Sequence, residues 1–67
     1  MTPARARIMN DLTAAHRAAH DLTEQTGEPY TVILGEIDPE TDEYTVAVCN
    51  PAATAQALAA GYGQDTD

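Results

Sequence analysis

Residues 30–49 read Tyr30-Thr31-Val32-Ile33-Leu34-Gly35-Glu36-Ile37, then Asp38-Pro39-Glu40-Thr41-Asp42-Glu43, then Tyr44-Thr45-Val46-Ala47-Val48-Cys49. The outer runs are β-branched and aromatic and read as strands. The middle run is rich in turn formers. A connection this short joins antiparallel neighbours, so the stretch predicts a β-hairpin. With Asp38 opposite Glu43, simple counting pairs Ile37 with Tyr44, Gly35 with Val46 and Ile33 with Val48. That register puts Ile33, Ile37, Tyr44, Val46 and Val48 on one face, and Tyr30, Val32, Leu34, Ala47 and Cys49 on the other. Both faces are then largely apolar. A two-stranded ribbon is marginal by itself, and its open edges invite pairing with another chain. The expectation is a dimer in which the hairpin is completed into a larger antiparallel sheet.

Upstream, Ile8, Leu12, Ala15, Ala19 and Leu22 recur at steps of four, three, four and three, an apolar stripe of helical period. Thr2-Pro3 reads as a cap followed by proline at the first helical position, and Gly27 with Pro29 reads as a stop. These signals predict a helix over residues 3–26. Downstream, Asn50-Pro51 repeats the cap-then-proline signal, and Gly61 ends a second helix near Ala60. Gly63-Gln64-Asp65-Thr66-Asp67 reads as a frayed acidic tail. The expected fold is α+β: one helix–β-hairpin–helix (αββα) domain over residues 1–62, with residues 63–67 disordered.

The chain is 67 residues long and has no Phe or Trp, and thirteen of its residues are alanine. Larger aliphatic side chains are few, so one copy offers a thin core, and small scaffolds of this kind need a staple. The single cysteine, Cys49, closes no internal disulfide, which fits a reducing, cytoplasmic setting. No run approaches the ~20 apolar residues of a membrane span. The first residues are followed by no apolar stretch, so no leader peptide is expected. Self-association remains as the staple.

Charge divides the chain. The formal net charge is −8. Residues 1–17 hold Arg5, Arg7 and Arg17 against Asp11. Residues 18–67 hold ten acids and no Lys or Arg. A field of that sign repels phosphate backbones, so direct nucleic-acid binding is not expected. It suits a basic protein partner, and it also keeps a small protein soluble.

Candidate chemistry is sparse. His16 and His20 are four apart, on one helical flank, and two histidines at that spacing can share a transition metal. A complete site needs further ligands, and the plainer reading is two surface histidines with Glu24 as a partner. Cys49 sits in a strand among acids, which suits a small buried residue better than a nucleophile. The acids Glu36, Asp38, Glu40, Asp42 and Glu43 crowd the hairpin tip. They lack the spacing of a calcium loop, and their plainer reading is a solvated turn. Their functional reading is a docking knob for a basic protein, with Tyr30, Val32 and Leu34 supplying apolar contact area from the adjoining face. Neither a phosphate-binding loop nor a cofactor fingerprint is present. The expected function is non-enzymatic: a homodimeric regulator or inhibitor that binds a protein, with no cofactor. Metal or small-ligand binding through His16 and His20 is the alternative.

Overall fold

A computed structural model of the chain describes residues 3–9 and 11–65. The elements run β1 (Ala6–Met9), α1 (Leu12–Thr26), β2 (Thr31–Ile37), β3 (Tyr44–Cys49), α2 (Pro51–Ala59) and β4 (Gly63–Asp65). The fold is a small α+β domain with two helices and one four-stranded antiparallel sheet of order β1-β3-β2-β4. It is larger than the four-element helix–hairpin–helix expected. The hairpin edges that were expected to meet a second chain are paired within the chain, by β1 on one side and β4 on the other.

The two crossovers explain where the helices lie. The β1-α1-β2 connection steps over β3, and β3-α2-β4 steps over β2, both in the same direction across the sheet. Because β3 runs antiparallel to β1, two crossovers of equal hand must put their helices on opposite faces. The packing agrees. Ala15 and Ala19 of α1 cluster with Val32, Val46 and Val48, flanked by Met9, Leu22, Tyr30 and Leu34. Ala53 of α2 clusters with Ile33 and Cys49 on the other side. The residues that α1 buries are both alanine, which lets this helix lie close to the sheet.

The hairpin register departs from simple counting. Ile37 does pair with Tyr44, and the amide of Asp38 donates to the carbonyl of Glu43 at 2.8 Å. The register then shifts, and Leu34 pairs with Val46, Ile33 with Ala47 and Val32 with Val48. Gly35 and Glu36 together oppose Thr45 in a β-bulge, which turns every later side chain to the other face. Val46 and Val48 therefore join Val32 and Leu34 beneath α1, while Ile33 joins Ala47 and Cys49 beneath α2. Glycine suits the bulge, since a Cβ at Gly35 would sit 3.3 Å from both Cβ and the carbonyl oxygen of Thr45.

The expected first helix is shortened at its start. Pro3 is not helical, and Thr2 lies outside the described residues. The cap is Asp11, whose side chain accepts from the amide of Thr13. Ahead of it, Ala6–Met9 pairs with β3. The end is as expected: Gly27 caps α1 with a left-handed φ of 77°. The second helix begins at Pro51 behind the Asn50 cap and is followed by Gly61, also as expected.

Residues 63–65 of the expected tail are a strand. Gly63, Gln64 and Asp65 pair with Leu34, Ile33 and Val32. His16 of α1 fastens this strand, with Nε2 2.6 Å from Oδ2 of Asp65. Both side chains are mostly covered, so this hydrogen bond to a carboxylate contributes about 1–2 kcal/mol. Replacing His16 with alanine or Asp65 with asparagine is expected to free β4 locally while the rest of the sheet stays folded. Amide hydrogen exchange along the β4 side of β2 reads this directly. Unchanged protection there would show that backbone pairing alone holds the strand.

Candidate protein-interaction surface

The two sheet faces are covered unequally. The fifteen-residue α1 packs on β1, β2 and β3, while the nine-residue α2 packs on β2, β3 and β4. The β1 end of the α2 face is therefore left open. An open groove of about 640 Å³ lies there. Ala6 and Ile8 of β1 form one wall, Ile33 and Ala47 the floor, and Ala57 and Tyr62 the other wall. Ile8 is 64% exposed and Tyr62 39%. Cys49 lines the same groove but is only 3% exposed. Burial raises its thiol pKa above the ordinary value, which disfavours the thiolate, the nucleophilic form.

The groove borders a strand edge that no other described strand pairs. Just ahead of β1, the amide of Arg5 donates to Oδ1 of Asn50 and its carbonyl accepts from the amide of Asn50, both at 3.0 Å. Antiparallel strands alternate the direction of their backbone groups. Arg5, Arg7 and Met9 therefore turn toward β3, and Ala6 and Ile8 turn their N–H and C=O groups outward. The edge is polarised. Arg5 and Arg7 mark its N-terminal end. At the Met9 end a second, smaller depression of about 180 Å³ is lined by Ile8, Met9, Asp38, Glu43 and Tyr44, among others.

The residues singled out in the sequence separate into two groups. Val32 is 2% exposed, and Tyr30 and Leu34 pack beside it against α1. Val32 is core and the other two are partly buried against it, so the apolar contact face expected of these residues is occupied by the chain's own helix. Tyr30 is tied in further, its amide donating to Oγ1 of Thr23. By contrast Glu36, Asp38, Glu40, Asp42 and Glu43 are all exposed around the hairpin tip. There Oδ1 of Asp38 accepts from the amide of Glu40, and Asp42 takes a positive φ of 59°. No residue of this tip forms an ion pair, since the pairs among the described residues are His16–Asp65 and His20–Glu24.

The histidines do not converge. His16 turns to Asp65 on β4, and Nε2 of His20 lies 3.3 Å from Oε1 of Glu24 one turn along the helix. Among the described residues no three of His, Cys, Asp and Glu come together as a metal site. No helix among them is long and apolar enough to cross a membrane.

The β1 edge and its groove had no clear signal in the sequence. Ile8 fits the helical stripe as well as it fits a strand. Only the presence of β3 decides between the two. Comparison of the chain with protein-family models, with curated proteins and with solved structures finds no match in any of the three.

Proposed function

We propose that this chain is a small acidic protein-interaction module, a homodimeric regulator or inhibitor that acts by binding a protein and performs no catalysis of its own. The observation that carries the reading is the half-covered apolar groove running beside a strand edge left unpaired among the described residues. Exposed apolar surface of this kind marks an interaction site, and an open edge adds a template for backbone pairing. The acidic hairpin tip supplies the second contact. Its carboxylates are exposed and have no countercharge among the described residues, so they steer a basic partner and raise its encounter rate.

The test is capture of basic proteins from host-cell lysate on the immobilised chain, at low and high salt. Retention is expected to fall steeply as salt rises. Glu40→Gln combined with Asp42→Asn is expected to weaken retention by about twofold to thirtyfold, since each exposed charge pair contributes about 0.2–1 kcal/mol. Both positions are exposed, and asparagine tolerates the positive φ of residue 42. Salt-independent retention, or full retention by the double variant, would refute the acidic docking role.

A further inference from the structure

Building on that reading, we infer that the β1 edge is occupied by a second copy of this chain. The two β1 strands run antiparallel about a twofold axis, and Arg5 of each copy lies against the acidic depression of the other. Three observations meet at this edge.

The first is the backbone. Ala6 and Ile8 present their unpaired N–H and C=O groups outward, and an antiparallel strand of the same spacing satisfies them reciprocally. An isologous contact of this kind closes on itself and leaves no further β1 edge to recruit more chains.

The second is apolar surface. Ile8 is 64% exposed and stands on the rim of the groove beneath α2. Joining two β1 strands sets two such rims side by side on one face of an eight-stranded sheet, which removes this isoleucine from water.

The third is charge. Antiparallel pairing brings the N-terminal end of one β1 to the Met9 end of the other. Arg5 therefore arrives where Asp38 and Glu43 line the smaller depression. Two of the chain's three cations sit on or beside β1, and this arrangement gives them countercharges. The opposite edge does not suit such pairing. Strand β4 has three residues, carries no cation, and has Asp65 engaged by His16.

The experiment is light-scattering mass across a dilution series, together with amide exchange of Ala6. The wild-type chain is expected to show twice its 7.1 kDa mass at high concentration, with Ala6 protected. Ile8→Glu, at an exposed position, is expected to be monomeric with Ala6 exchanging freely and an unchanged circular dichroism spectrum. Arg5→Glu is expected to raise the dimer Kd about tenfold or more, and Arg5→Glu with Glu43→Arg to restore it to within about threefold. A dimer indifferent to Ile8→Glu, or a charge swap without rescue, overturns this seam. So does a wild-type chain that is monomeric throughout. If that monomer still shows salt-sensitive capture of basic proteins, the interaction-module reading stands and only the homotypic seam falls.

Discussion

Asn50→Ala is expected to lower the melting temperature by about 10–25 °C, the largest effect of any single polar substitution in this chain. Asn50 is fully buried. Its Oδ1 accepts from the amide of Ala53 at 2.9 Å, which caps α2, and from the amide of Arg5 at 3.0 Å. Its Nδ2 donates to the carbonyl of Pro3 at 2.8 Å. One side chain therefore starts the second helix and anchors the lead-in to β1. Losing the cap costs about 1 kcal/mol. Leaving the Arg5 amide and the Pro3 carbonyl without this partner adds about 1–3 kcal/mol. A domain of 60–100 residues loses about 4–8 °C per kcal/mol. Asn50→Ser separates the two roles, because serine retains a cap for α2 but does not reproduce the clamp on Arg5 and Pro3. It is expected to melt between the other two, with amide protection lost across β1. An alanine variant melting within about 2 °C of the parent would show that water replaces this network at little cost.

Ala15→Leu is expected to cost about 1–3 kcal/mol through overpacking. Ala15 is 0% exposed and lies in the cluster with Val32, Val46 and Val48. Because α1 meets the sheet through alanine, there is no space for three more carbons unless the helix lifts. Lifting it would also uncover the sheet residues beneath. Helix propensity does not produce the effect, since alanine and leucine are both strong helix formers. Ala55→Leu on the exposed side of α2 is the control, and its melting temperature is expected to match the parent within about 2 °C. Val48→Ala introduced with Ala15→Leu is expected to return part of the loss, because it restores volume on the facing surface. Thermal melts of the four proteins check the pattern. Equal stability of Ala15→Leu and the parent would mean that the helix-to-sheet contact is loose.

The candidate surface was legible only where local chemistry defines it. The acidic turn was visible because Asp38-Pro39-Glu40-Thr41-Asp42-Glu43 is built from turn formers, and its acids have nowhere to go but water. The apolar half of the surface was assigned to Tyr30, Val32 and Leu34, and these lie under α1. They are covered because the β1-α1-β2 crossover lays α1 across that face, and a shift of register adds a second departure. The Gly35–Glu36 bulge regroups Val46 and Val48 with Val32, and strand residues change sides whenever a register slips by one. Nothing in the alternation of the two strands announces an insertion at Gly35. Its cause is a close backbone approach to Thr45, which exists only once the strands have paired.

Taken alone, the order of amino acids determined the two helix bodies, three of their four ends and the closing of the hairpin. A helix satisfies its backbone within itself, so its caps and stops are neighbours in sequence: Asn50 before Pro51, and Gly27 after Thr26. Tertiary structure decided β1 and β4. A strand has no internal hydrogen bonds and exists only where another strand offers an edge. Ala6–Met9 left the helical stripe for the edge of β3, with Asp11 starting the helix in its place. Gly63–Asp65 left the frayed tail for the edge of β2, held there by His16 from a helix more than forty residues away in sequence.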